Sequence, residues 1–473
     1  MSTRVSTPTG TYAGGTAANG CREFKGIRYA TARRFEAPVT VETDGGEIDA
    51  TSWGKIAHQT PGFLESNDGF GPDDMSEDCH FLNIWTPAGA TEGASLPVLF
   101  WVHGGGFLTG SGSASWYNGA NLAARGAVVV TINYRLGVFG YLGNRNLGLL
   151  DQVAALRWVS RNIAAFGGNP GNVTVFGESA GGSGTVSIMA SPLATGLFHR
   201  AWAMSPSIGQ FRGTARAAQL EQEYLATLGV ADADAAMALP ASELVAAQTK
   251  FMSERMGSPD HFAPTHGGAG VTDDMLAAAA QCGVPFCIGT NRDESRLWSA
   301  FDPSAATKTT DDWAEHLRKT FGGAATEARE LYEKHRPGHT PGQLISAVQS
   351  DVSFRAHAVR LADARSAAAN PTWSYWFTWA STAMGGALGS CHALDIPFAF
   401  DNLDAPGARG LMGRDSDPAG LHTYFADEIV RFATHGHPSW TQYARDTRPT
   451  MVLGAERVLE HDPEGELVAL HLA

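Results

Sequence analysis

The chain has 473 residues, 43% hydrophobic and 17% charged, a balance that supplies a large apolar core and excludes a disordered or repeat-built protein. A formal net charge of −14 repels a phosphate backbone and excludes nucleic acid as the expected partner. Length alone suggests about three domains, yet no linker, repeat or low-complexity segment divides the chain, so residues 1–473 read as one domain.

Five cysteines, Cys21, Cys79, Cys282, Cys287 and Cys391, are an odd number in a chain too long to need disulfide staples. Cys282 and Cys287 are spaced too widely for a CxxC pair, so no metal is expected. Residues 1–20 lack the apolar stretch of a secretory signal. No run approaches the ~18 apolar residues of a membrane span. The expectation is a soluble, cytoplasmic protein without membrane partners, monomeric or a small homo-oligomer.

In chain order, Leu96–Val102 (LPVLFWV) is a short apolar run, as are 127–132 (AVVVTI) and 173–176 (VTVF). Each predicts a strand buried on both faces of a mostly parallel sheet. Between the last two, 151–166 carries Val153, Leu156, Ile163 and Phe166 at helical spacing, ended by Gly167, Gly168 and Pro170. Strands alternating with helices give the α/β class. Further strands are expected at 201–204, 284–289 and 373–379. Residues 214–281 and 310–369 read as helical insertions that cap one end of the sheet.

The chemistry sits at the strand ends. After 173–176 comes Gly177-Glu178-Ser179-Ala180-Gly181-Gly182, G-x-S-x-G between a strand and a helix. A serine on such a sharp turn stands proud of the sheet, flanking glycines give clearance, and the helix N-terminus points its N–H groups at the site. After Leu96–Val102 comes His103-Gly104-Gly105-Gly106-Phe107, a glycine loop of the kind that offers backbone N–H groups to an oxyanion. Gly105, Gly106 and Ala180 are the expected donors, with His103 a structural residue that orients the loop. Together the motifs predict an acyl hydrolase with Ser179 as nucleophile.

An acid and a base should follow in that order. Asp293 and Glu294, in a loop after the 284–289 strand, both qualify on local grounds. His392, in Gly389-Ser390-Cys391-His392, is the candidate base; His422, His435 and His437 sit in or after a predicted helix and read as surface or capping residues. Phe107 and Trp116, near the glycine loop, are candidates to line the pocket, although loop packing explains Trp116 equally. Glu178, beside the serine, is a further candidate for the site.

Several segments extend the pattern. They are Phe24-Lys25-Gly26-Ile27-Arg28-Tyr29-Ala30; Ser76-Glu77-Asp78-Cys79-His80-Phe81-Leu82-Asn83-Ile84-Trp85-Thr86-Pro87; Asn133-Tyr134-Arg135-Leu136-Gly137; and 148–182. With the two motifs, they make the chain resemble the type-B carboxylesterases, the family of para-nitrobenzyl esterases and cholinesterases. The resemblance implies an α/β-hydrolase fold and a Ser–Glu–His triad on Ser179, Glu294 and His392. It implies no cofactor and a small-molecule ester as substrate, small to medium and apolar or aromatic. It also implies that Ser205 supports the acid and base, where an ordinary strand-end hydroxyl is the alternative. Ser295 and Pro206 stand where relatives often carry glycine. Residues 56–59 (IAHQ) lack the cysteine that pairs with one like Cys79 in secreted relatives. Residues 68–71 (DGFG) lack the tryptophan with which cholinesterases hold a quaternary ammonium, so choline esters are not the expected substrate. A non-catalytic binding protein on this fold would typically lack the serine. Amides, carbamates and thioesters remain open as substrates of the same machinery.

Overall fold

A computed structural model describes residues 3–42, 46–255, 262–413 and 420–472. Its centre is a sheet of eleven strands. In chain order these are β1 (Gly15–Thr16), β2 (Arg22–Arg28), β3 (Phe81–Thr86), β4 (Leu96–Val102), β5 (Val128–Ile132), β6 (Gly168–Glu178), β7 (Arg200–Met204), β8 (Phe286–Asn291), β9 (Thr372–Phe377), β10 (Pro449–Leu453) and β11 (Arg457–His461). Their spatial order is β11-β10-β9-β8-β7-β6-β4-β5-β3-β2-β1. Strands β4 to β10 pair in parallel, and antiparallel strands close both edges.

Burial on both faces explains the continuous apolar runs. In β4, Val98, Phe100 and Val102 enter one core while Leu99 and Trp101 enter the other, as the two-residue period of a strand requires. β4 has the predicted bounds, and β5 starts one residue later than expected. β8 starts at Phe286 rather than 284 and runs on to Asn291, because Thr290 and Asn291 still pair with Trp376 and Phe377 of β9. β9 stops at Phe377, two residues short of the expected end.

Helices cover both faces. α1 (Leu147–Asn162) puts Val153, Leu156 and Val159 in the first core, and a 3₁₀ turn (Ile163–Phe166) finishes the expected 151–166 stretch. α2 (Ala180–Met189) follows β6 and is wholly buried. Within 214–281 lie α3 (Thr214–Leu228), α4 (Ala241–Ser253) and α5 (Met275–Gln281); within 310–369 lie α6 (Thr310–Phe321), α7 (Ala325–His335), α8 (Pro341–Ser350) and α9 (Ala356–Ala367). α10 (Leu421–His435) packs Phe425, Ile429 and Phe432 into the second core. α11 (Gly465–Leu472) adds Leu467 to a third, small core with Trp313, Tyr332 and Val348. No helix of the described residues is long and apolar enough to cross a membrane.

One buried ion cluster ties α1 to the strand ends. Arg135 donates from Nε and its backbone N to Asp151 Oδ2 at 2.8 and 3.0 Å, and from Nη2 to Oδ1 at 2.7 Å. His80 Nε2 lies 3.1 Å from the same carboxylate. Burial alone would raise Asp151, but Arg135 and His80 hold it well below the usual carboxylate range.

Candidate active site

The loops after β4, β6, β7, β8 and β9 meet beyond the carboxyl ends of these strands, the usual binding edge of an open α/β sheet. Ser179 takes φ 56°, ψ −119° between β6 and α2, the strained turn its motif predicts. The glycines are required by contact. A Cβ on Gly181 would collide with the Val102 carbonyl oxygen, and one on Gly177 would come within 2.5 Å of the Gly181 carbonyl. Ala180 is the first residue of α2, so its N–H has no partner within the helix.

The glycine loop packs against this turn. A Cβ on Gly104 would lie 2.8 Å from Glu178 O and 3.3 Å from Ser179 Cβ. Gly105 and Gly106 have φ of 104° and 61°, and the Gly105 carbonyl accepts from the N–H groups of Leu108 and Thr109 at 3.0 Å each. His103 is buried and stacked on Tyr134 at 4.4 Å, and Nδ1 bonds the Gly104 carbonyl at 2.8 Å. Burial lowers it to about 4, so it orients the loop as a neutral ring. Gln59 clamps the far end, accepting from Gly110 N at 2.7 Å and donating to its carbonyl at 3.0 Å.

The neighbours Asp293 and Glu294 face opposite ways, which separates the two candidate acids. Asp293 accepts from Arg292 Nη2 at 2.9 Å and from Ser390 N at 2.9 Å. Glu294 Oε2 lies 2.6 Å from His392 Nδ1, and its Oε1 accepts from Asn291 N at 2.8 Å. The loops are also joined by backbone bonds, His392 N to Glu294 O at 3.1 Å and Asp293 N to Ser390 O at 2.9 Å. His435 and His437 are exposed, and His422 lies on α10 near Asp401.

On its other edge His392 Nε2 sits 3.1 Å from Glu178 Oε1, so the imidazole lies between two buried carboxylates and is hydrogen-bonded to Glu294. Burial alone would lower His392, but Glu178 and Glu294 raise it to about 9. Burial pushes Glu178 up to about 8 against the pull of the imidazole. A third carboxylate, Asp395, is raised to about 7 by burial and by Glu294; it accepts from Asn291 Nδ2 at 3.3 Å and Tyr375 OH at 3.2 Å. Ser205, directly after β7, is fully buried with φ 42°; its N donates to Gly289 O at 2.8 Å, and no group among the described residues pairs with its Oγ.

The two pocket candidates both lie in packed surroundings. Phe107 is buried against Tyr141, ring centroids 4.9 Å apart, in the core beneath the glycine loop. Trp116 is buried too, its indole N–H donating to Pro406 O at 2.7 Å and its ring edge-on to exposed Phe63. Both rings turn inward and are buried in these contacts. The aromatic rings that do flank the imidazole are Phe354 and Trp298, with centroids 4.8 and 5.1 Å from His392. Trp298 is 53% exposed. Its position four residues after Glu294 was the one available signal for it; Phe354 carried none.

Comparison with known proteins shows the family. Residues 1–465 match the Carboxylesterase family. The para-nitrobenzyl esterase of Bacillus subtilis is 36% identical, over 96% of this chain and 95% of that one. The phenmedipham hydrolase of Pseudarthrobacter oxydans is 34% identical, over 94% and 93%. A Geobacillus stearothermophilus carboxylesterase superposes with a TM-score of 0.86 at 33% identity, covering 99% of both chains. The chain therefore belongs to the carboxylesterase family, and it is a carboxylic-ester hydrolase of α/β-hydrolase fold.

Proposed function

We propose that Ser179, Glu294 and His392 are the catalytic triad, that Gly105, Gly106 and Ala180 supply the oxyanion N–H groups, and that Glu178 and Ser205 support them. The observation that carries this reading is the 2.6 Å contact of His392 Nδ1 with Glu294, made where the other ring edge meets the strained turn bearing Ser179. Ser179 Oγ bonds the ester carbonyl carbon as its proton passes to His392 Nε2. Glu294 fixes the ring and stabilises the imidazolium. The tetrahedral oxyanion collapses, the ester C–O bond breaks, and His392 returns the proton to the departing alcohol. Water then attacks the acyl-enzyme by the same path, releasing the acid and restoring Ser179.

The substrates are small to medium apolar or aromatic esters. Half-exposed Trp298 beside His392 offers a face for an aromatic group, and one relative is named for para-nitrobenzyl esters. The helices of 214–281 and 310–369 act as caps on a single domain. All five cysteines are free thiols, which suits a reducing cytoplasm.

Initial rates on para-nitrophenyl esters from acetate to decanoate, for wild type and Ser179→Ala, test the reading. Turnover should peak at short or medium acyl chains and vanish in the variant. Turnover that survives the substitution overturns it.

A further inference from the structure

The helical stretch 341–367 is interrupted between α8 and α9 by one π-helical turn, Asp351–Arg355. Such turns are rare and concentrate at functional sites, because the widened ring of bonds re-aims the side chains it carries. This one carries Phe354, 5% exposed, whose ring lies on the imidazole of His392. The preceding helix reaches the acid side of the same site. Ser350 Oγ accepts from Ser295 N at 2.9 Å, next to Glu294, and Ser346 Oγ accepts from Ser299 Oγ at 3.2 Å. One element therefore touches the loop of the acid and the ring of the base.

Both ends of the π turn are pinned from outside. At its start, Tyr332 OH donates to Asp351 Oδ2 at 2.7 Å. The phenol has one proton, so its 2.8 Å contact with His471 Nε2 is donated by the ring N–H. At its end, Arg355 donates to Pro463 O and to Glu464 Oε2 at 3.3 Å, and its guanidinium lies over Trp376 at 4.1 Å. Arg336 of the loop after α7 donates to the same Glu464 oxygen at 2.8 Å. Tyr332 lies on α7, His471 on α11, and Pro463 and Glu464 directly before α11. The buried Leu467 of α11 shares the small third core with Tyr332 and Val348.

We infer that α7 and α11 lock the π turn so that Phe354 acts as a positioning residue for the His392 imidazole. Without the lock the turn relaxes toward an ordinary helix, Phe354 rotates away, and the ring of His392 is held only at its edges by Glu294 and Glu178. The inference rests on the triad reading above.

The test uses Tyr332→Phe, Glu464→Gln, Phe354→Leu and the double variant Tyr332→Phe/Phe354→Leu in the full chain. Lys334→Ala, which cuts only the exposed Lys334–Glu466 bridge between the same helices, is the control. For each, Tm, kcat and KM on para-nitrophenyl acetate are measured. Tyr332→Phe and Glu464→Gln should lower kcat about 10-fold with KM within about twofold, at a temperature where both are folded. Phe354→Leu should do the same, the double variant should lose little more than either single, and Lys334→Ala should match wild type. Unchanged kcat in Tyr332→Phe, or losses that multiply in the double variant, overturn the inference. Should Glu464→Gln fail to fold, the Tyr332 and Phe354 variants decide. Wild-type turnover in Ser179→Ala would instead remove the triad reading, and this inference with it.

Discussion

Glu178→Gln tests whether Glu178 sets the pH at which His392 can accept a proton. The carboxylate lies 3.1 Å from Nε2. At an effective dielectric constant of ~20, two unit charges at that distance attract by about 5 kcal/mol. At about 1.4 kcal/mol per pH unit, this gives a ceiling of about 4 units. The realised effect is smaller, because burial opposes the charged form of Glu178 and pushes it up to about 8; about 1–3 units is the range a single opposite charge produces. Catalysis needs the neutral imidazole, so kcat/KM rises with pH through the pKa of His392, which stands near 9 with both carboxylates present. Removing one negative neighbour lowers that pKa. The acid limb of the profile on para-nitrophenyl acetate should move to lower pH by about 1–3 units in Glu178→Gln, with the variant relatively more active at pH 6 than at pH 9. A limb that stays in place, or moves upward, refutes the electrostatic reasoning.

Other substitutions probe separate links. Glu294→Gln should cost about 10³–10⁴ in kcat. Asp293→Asn should retain kcat and lose about 1–3 kcal/mol in urea denaturation, because Asp293 holds Ser390 and Arg292 rather than His392. Gly105→Ala would drive a Cβ into the Thr109 carbonyl at φ 104°, displacing an oxyanion donor; kcat should fall about 100-fold with KM little changed. Asp151→Asn should destabilise by about 3–5 kcal/mol at neutral pH, because Arg135 is left buried without its counter-charge. Asp151 is depressed in the folded state, so its stabilisation is present above the unfolded pKa of about 4 and is lost as pH falls toward the folded value. The stability gap between wild type and variant, read by denaturant titration, should narrow as the pH drops below about 4.

What the sequence made legible was whatever backbone geometry forces on residue type. β4 was legible to the residue because a strand buried on both faces must be apolar throughout. The serine turn and the glycine loop were legible because a Cβ at Gly177, Gly181 or Gly105 would strike backbone. The extension of β8 was missed because Thr290 and Asn291 look like loop residues, and only pairing with β9 makes them strand. Adjacent Asp293 and Glu294 were indistinguishable by composition, since which one faces His392 depends on the Ser390 loop arriving from almost a hundred positions away. The burial of Phe107 against Tyr141 was not legible, because nearness in sequence to the glycine loop says nothing about the side to which the ring turns. Phe354 reaches the site only through packing that no local pattern encodes.

The central claim is that Ser179 Oγ carries the acyl group. Rapid mixing of enzyme with a slowly deacylated para-nitrophenyl ester, followed by acid quench, digestion and peptide mass spectrometry, tests it directly. One acyl group per chain, on the peptide containing Ser179 and absent from Ser179→Ala, is the predicted result. A burst of para-nitrophenol with the acyl group on another residue, or an unmodified Ser179 during turnover, would contradict the account.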